Sequence, residues 1–248
     1  MIEDYGELLL RGSNLRDDPK PDLDNASGGN MQKISIILFF FIFLNISFAQ
    51  EKLVVGTYDS FSADWGPGPI IEEKFEEICN CDLQFISTSQ AGTLNNEIFL
   101  NGKDVILGVE MHEFNYSIED WHEYDHGFFS FIYDSSKLTN PPKTFEELVN
   151  REDLKIVVQD PRTSPVGIGL LRWMKSIFKD DFSIKLKQLD QNIITYSPGW
   201  SEAYGIFLEG NADLVLSYST SPFYHQEYEN EYKYKSLNFT EGHLATRE

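Results

Sequence analysis

Four short segments hold most of the side chains with chemistry to offer. The first is Tyr58-Asp59-Ser60-Phe61, running on to Asp64-Trp65-Gly66-Pro67-Gly68-Pro69. The second is Ser89-Gln90-Ala91-Gly92-Thr93, and the third is Gln159-Asp160-Pro161-Arg162-Thr163-Ser164-Pro165. The fourth pairs Pro198-Gly199-Trp200-Ser201-Glu202-Ala203-Tyr204 with Ser217-Tyr218-Ser219-Thr220-Ser221-Pro222. Together they bring aromatic rings, carboxylates, hydroxyls and predicted helix starts. That set suits a flat cation with a polar or phosphorylated tail. Rings stack on the cation, carboxylates neutralise it, and hydroxyls with backbone N–H groups at helix starts hold an anion.

Other chemistries find no support. There is no metalloprotease, P-loop or nucleophile-elbow pattern. Gly167-Ile168-Gly169 lacks the third glycine of a dinucleotide loop and follows Pro165. The five histidines, His112, His122, His126, His225 and His243, are scattered; His122 and His126 are four apart, but Gly127 follows at once, so no metal site is expected. Two cysteines make neither a disulfide scaffold nor a four-thiolate zinc site. Cys79-Asn80-Cys81 could oxidise in an exported protein, although so short a loop strains the bond. A thiolate at Cys79 would sit at the end of a predicted helix, where the dipole disfavours an anion. No catalytic residue is expected.

The elements that must carry these segments alternate along the chain. Leu53–Tyr58 reads as a strand, Ile70–Ile78 as a helix with apolar residues at helical spacing, and Asp82–Ser87 as a strand. A helix over Thr93–Leu100 and a strand over Asp104–Gly108 follow. This order implies a parallel sheet and the α/β class. Phe128–Tyr133 is a further strand. Thr144 with Glu147 forms a capping box. Then come a strand at Lys155–Gln159, helices at Gly167–Phe178 and Ser201–Glu209, and a strand at Asp213–Tyr218. The four segments therefore lie at strand ends, where open α/β sheets bind ligands. No repeat and no Pro/Gly/Ser tether is present, so two domains would have to be joined by strands.

Composition bounds the partners. The chain has 248 residues, 20 Lys and Arg against 40 Asp and Glu, and a net charge of -20, which repels a nucleic acid over most of the surface. Acidity of this size is compatible with a cationic ligand. Hydrophobic residues at 41% are enough for a packed core, and 14% aromatics leave rings to spare for a stacking site.

Residues 31–49 read MQKISIILFFFIFLNISFA: a basic n-region at Lys33, an apolar run from Ile34 to Leu44, and small residues at Ser47 and Ala49. This is the pattern of a cleavable secretory signal peptide, and the apolar run is shorter than the ~20 residues a membrane span needs. Residues 1–30, polar and without periodicity, read as a non-genuine extension ahead of a true start at Met31. Residues 50–248 are then the mature protein. After Ser221-Pro222 the chain runs on as mostly polar residues to Glu248, and a fold of this kind is expected to continue further.

The strings TYDSFSADWGPGP, CNCDLQF, QDPRTSPVGIGLLRWM, GWSEAYGIFLEGNADLVLSYSTSPFYH and NFTEGH, spread from Leu53 to His243, resemble the periplasmic thiamine-binding proteins of thiamine ABC importers. The resemblance implies the periplasmic binding-protein fold, with two α/β lobes, a ligand cleft and hinge strands, formed here by residues 50–248 as two discontinuous lobes with the second incomplete. It implies capture of thiamine, thiamine monophosphate and thiamine diphosphate without chemistry or cofactor, delivery to an ABC permease, a periplasmic location and a monomer. Residues 21–29 also back-translate to a sequence resembling the 3′ part of a thiamine pyrophosphate riboswitch, in keeping with untranslated leader.

Carried across residue by residue, the family's ligand contacts fall on Gln90 and Ala91, where an acid and a glycine are usual. They fall next on Ser164 and Pro165, where threonine is usual at the second position and Pro165 has no N–H to donate. They fall also on Trp200, Tyr218, Ser219, Thr220 and Ser221. Tyr58, Asp59 and Trp65 complete the candidate site. The chain is shorter than the family between Gly108 and Asp125 and lacks its C-terminal part. Two alternatives stay open. One is a ferric-ion binder of the same fold, which uses adjacent tyrosines where this chain has Tyr218-Ser219. The other is a thiamine-degrading transferase, which would need Cys79 or Cys81 as nucleophile. The signal-peptide reading predicts that mass spectrometry of the exported protein finds an N-terminus at Gln50; a species that retains Met1 would contradict it.

Overall fold

The computed structural model describes residues 50–111 and 122–248. The expectations for the extension, the signal peptide and His112 lie outside the described residues.

Residues 51–110 build the first lobe. Strand β1 (Glu51–Tyr58) is central, flanked in parallel by β2 (Cys81–Thr88) and β3 (Val105–Ile106). The one-turn helix α1 (Asp59–Ser62) starts directly from β1, and α2 (Gly68–Cys79) connects to β2. Pro69 at the start of α2 supplies a preset φ where no N–H is needed. The expected helix over Thr93–Leu100 is instead a 3-10 turn at Ala91–Thr93 and a short α3 (Glu97–Leu100). Asn96 between them is extended and acts as the new N-cap residue, a position that asparagine favours. The strand expected over Asp104–Gly108 pairs only at Val105–Ile106. Val55, Leu83 and Leu94 are buried, but Ile71, Phe75 and Ile78 on α2 stay exposed, Ile78 at 83%.

The second lobe is a larger sheet in the order β6-β5-β7-β4-β8. Strands β5 (Ile156–Gln159), β6 (Ile193–Ser197) and β7 (Leu214–Tyr218) are parallel; β4 (His126–Asp134) and β8 (Tyr234–Ser236) add antiparallel strands at one side. The expected Phe128–Tyr133 strand is thus part of an antiparallel β4, not of an all-parallel sheet. Helices α4 (Phe145–Asn150), α5 (Pro165–Phe178), α6 (Phe182–Asp190), α7 (Trp200–Leu208) and α8 (Ser221–Tyr228) surround it. Half of the capping box forms: Glu147 N–H donates to Thr144 Oγ1 at 2.9 Å, while the Glu147 carboxylate accepts from the Lys143 N–H at 2.7 Å rather than from Thr144.

Alternation along the central strands sends side chains to two cores. Phe129, Phe131, Ile156, Val158, Leu214 and Leu216 pack with Trp173 and Phe145 under α5 and α4. Ile132, Val157 and Val215 pack on the other face with Ala203, Tyr204 and Phe207 of α7. Both faces are therefore covered, as a parallel sheet requires. Strand β9 (Ala245–Arg247) pairs antiparallel with the first residues of β4 and carries the chain back to the first lobe, where Glu248 backbone exchanges hydrogen bonds with Tyr124 and Asp125.

Helix α5 lies very close to the loop that ends β5. A Cβ at Gly167 would fall 2.5 Å from the Gln159 carbonyl oxygen and 2.7 Å from the Pro161 nitrogen. Gly167→Ala is therefore expected to destabilise the protein by about 2 kcal/mol through overpacking. Urea unfolding followed by circular dichroism measures this; an unchanged midpoint would show that the helix can withdraw freely.

Candidate functional site

A cavity of about 210 Å³ lies between the lobes. The first lobe contributes Tyr58 and Asp59 from the β1–α1 junction, Trp65 from the following loop and Ala91 from the 3-10 turn. The second lobe contributes Ser164, Pro165, Trp200 and Tyr218. Eight of the twelve expected residues therefore line one cavity. Gln90, Ser219, Thr220 and Ser221 do not. Gln90 uses its carbonyl to accept from Thr93, and Thr220 is exposed at the start of α8. Ser219 N–H donates to the Phe128 carbonyl. The Ser221 hydroxyl lies 2.7 Å from that of Ser217, in hydrogen-bond contact.

Trp200 is the best-fixed ring in the cavity. Its indole N–H donates to Ser217 Oγ at 2.7 Å, and its face stacks on Tyr204 at 4.8 Å with 18° between planes. Ser217, wholly buried on β7, belongs to the fourth segment but is not among the expected ligand contacts. Trp65 approaches Trp200 from the other lobe at 6.4 Å and meets Tyr224 of α8 edge-on at 5.9 Å. Tyr224 is thus a further aromatic at the mouth, hidden in sequence because α8 has no apolar periodicity.

The cavity floor is acidic and phenolic. Tyr218 hydroxyl donates to Glu110 Oε1 at 2.7 Å, and Thr246 hydroxyl donates to the same carboxylate. Tyr124 and Tyr58 hydroxyls donate to Glu248 Oε2 at 2.9 and 3.3 Å. Burial, then Glu110, pushes the Tyr218 phenol well above its ordinary range. Burial, then Glu248, does the same to Tyr58. Burial raises Glu248 as well, with the Tyr124 hydrogen bond opposing. Both cavity phenols are therefore neutral donors around neutral pH, and sequence spacing could not have shown that Glu110 and Glu248 meet them.

Two helix N-termini point into the cavity. Ser164 precedes α5, and Gly199 precedes α7. Ser164 is buried, and its hydroxyl makes no capping bond to its own helix. Arg162, by contrast, is turned outward and chelated by Asp160, whose carboxyl it holds down to about 2. The cavity lining thus offers hydroxyls and helix-start N–H groups but no lysine or arginine.

The lobes touch across the cavity. Ser201 hydroxyl donates to Asp59 Oδ1 at 3.2 Å, and Gly92 N–H donates to the Thr163 carbonyl at 3.0 Å. Cys79 and Cys81 form a disulfide, so neither is a thiolate. They sit at the opposite end of β2 from the cavity, roughly 23 Å away for an eight-residue strand. Among the described residues no group of three or more His, Cys, Asp or Glu side chains is placed to hold a metal.

No protein-family model matches the chain. A thiamine-binding periplasmic protein from Escherichia coli K12 is 40% identical over 224 residues, which is 79% of this chain and 68% of that protein. The chain belongs to the periplasmic thiamine-binding protein family. A second member, from Brucella melitensis biotype 1, is 39% identical over 222 residues, 78% of this chain and 66% of its own length. The chain thus spans about two thirds of the length of these relatives. A solved periplasmic thiamin binding protein superposes with a TM-score of 0.74 at 38% identity, covering 81% of this chain and 72% of that one. The two-lobed α/β architecture is that of the family.

The backbones of the two lobes approach most tightly at Gly199. A Cβ at Gly199 would fall 2.1 Å from the Ser89 carbonyl oxygen of the other lobe. Gly199→Ala is expected to hold the lobes apart and break the Asp59–Ser201 bond. Small-angle scattering should then report a larger radius of gyration than for the parent protein; identical curves would mean that this contact does not limit closure.

Proposed function

We propose that this chain is an exported solute-binding protein that takes thiamine, thiamine monophosphate and thiamine diphosphate into the cleft and delivers them to an ABC permease. The observation that carries the reading is the convergence, in a member of this family, of rings from both lobes with two helix N-termini around one small cavity. Trp200 and Tyr218, with Trp65 opposite, flank the ligand's rings. Asp59 offsets the positive thiazolium. Ser164 and the start of α5 receive the phosphate, favoured by the helix dipole. The protein acts as a monomer in the periplasm after removal of residues up to Ala49, without cofactor or chemical step. The disulfide at Cys79–Cys81 argues against a thiolate transferase, and Ser219 in place of a second tyrosine beside Tyr218 argues against a ferric site.

Fluorescence titration of residues 50–248 with the three ligands tests this. Trp200→Ala should weaken thiamine at least about tenfold, since a desolvated stacking or cation–π contact contributes roughly 1–3 kcal/mol. An unchanged dissociation constant would make Trp200 a packing residue only. Ser164→Ala should weaken the diphosphate about tenfold and free thiamine little, because a charge-assisted hydrogen bond is lost only with the former. The pair Thr220→Val and Ser221→Ala, off the cavity wall, should discriminate less. Equal losses for both ligands in Ser164→Ala would remove the phosphate assignment.

A further inference from the structure

His225 is 2% exposed, lies on α8 behind the cavity, and has no part in the binding scheme above. Its Nδ1 is 2.6 Å from Glu229 Oε2, and its Nε2 is 3.1 Å from the Tyr204 hydroxyl. Its ring is nearly parallel to Tyr204, 5.7 Å away at 11°, and Tyr204 is in turn stacked on Trp200. Three rings thus connect a partly exposed carboxylate, Glu229, to the wall of the cleft.

We propose that His225 is a positioning residue for Trp200, and that its neutral form holds the ring stack in the arrangement that grips a cationic ligand while its protonated form loosens that grip. The proposal rests on the thiamine reading for the ligand and on geometry for the relay. A carboxylate can only accept, so the hydrogen on Nδ1 belongs to the Glu229 contact. In the neutral ring Nε2 is then an acceptor, and Tyr204 donates to it. Protonation places a hydrogen on Nε2 as well. Tyr204 must then turn its own hydrogen away inside a buried site, at a cost. The stack also acquires a positive charge two ring layers from the seat of a cation, which repels it.

The other titratable groups that face His225 are Tyr224 on its own helix, Tyr204 from α7 and Tyr234 from β8, with ring distances of 5.7, 5.7 and 4.4 Å. Burial raises the Tyr204 phenol, with Tyr234 and Glu229 adding to the effect, so it stays a neutral donor. Glu231, whose N–H donates to the His225 carbonyl, is paired with Lys233 at 3.1 Å.

The test has a ligand-free arm and a ligand arm. With tryptophan indole groups labelled by nitrogen-15, and the Trp200 signal identified by Trp200→Phe, its indole N–H resonance is followed from pH 8 to 5.5. It should move in the parent protein and stay still in His225→Gln, whose amide oxygen can accept from Tyr204 without titrating. Tyr204→Phe, which keeps the ring but cuts the hydrogen bond, should also suppress the movement and serves if the glutamine variant does not fold. A still signal in the parent, or equal movement in the variants, overturns the proposal whatever the ligand. In the second arm, thiamine affinity should fall between pH 8 and 6 by about threefold more in the parent than in His225→Gln, the loss of part of one cation–π contact. The comparison cancels the ligand's own titration. Parallel profiles would overturn the coupling to binding. If the parent does not bind thiamine at pH 8, the thiamine reading fails, while the indole signal still decides the relay.

Discussion

The cleft depends on how nearly two backbones can approach. Ser89 of the first lobe meets Gly199 of the second with no room for a side chain, and beside that contact Gly92 hydrogen-bonds to Thr163. Only at this separation do Trp65 and Trp200 face one another and does Ser201 reach Asp59. The site belongs to neither lobe alone. Its rings and hydroxyls come together because the absence of a side chain at Gly199 lets the two backbones lie this near.

Within that frame the second lobe holds its share of the site on a sheet covered on both faces. The β5–β7–β4 sheet is buried on both faces, and its strands deliver Tyr218, Ser217 and the loop to Ser164 in fixed positions. Trp200 is held edge-on by Ser217 and face-on by Tyr204, so a ligand pays little to order it. The floor adds neutral phenols bound to Glu110 and Glu248. A cation above them meets ring faces and negative groups without a free tyrosinate.

The most legible parts of the sequence were the segments with a single environment. Ile156–Gln159 and Leu214–Tyr218 are apolar runs because both faces of their sheet are covered, and they read as strands at once. Gly199-Trp200 and Ser164-Pro165 stood out as helix starts beside useful side chains. The missed elements are those with mixed surroundings. Strand β6 is a half-exposed edge, α6 has few buried residues, and α8 scatters Phe223, Tyr224 and Tyr228 over exposed positions. Thr93–Leu100 looked helical until Asn96 interrupted it. Contacts that join distant positions, such as Tyr218 with Glu110 and Trp200 with Ser217, leave no local pattern, and the same holds for the His225 stack.

The central claim, that the inter-lobe cavity seats a cationic ring system, is tested most directly by a crystal structure of residues 50–248 grown with saturating thiamine. The account predicts ligand density inside the cleft, with a ring against Trp200, Trp65 closing over it, and the hydroxyethyl tail toward Ser164 and the start of α5. Density outside the cleft, or an empty cleft at saturating ligand, would contradict it.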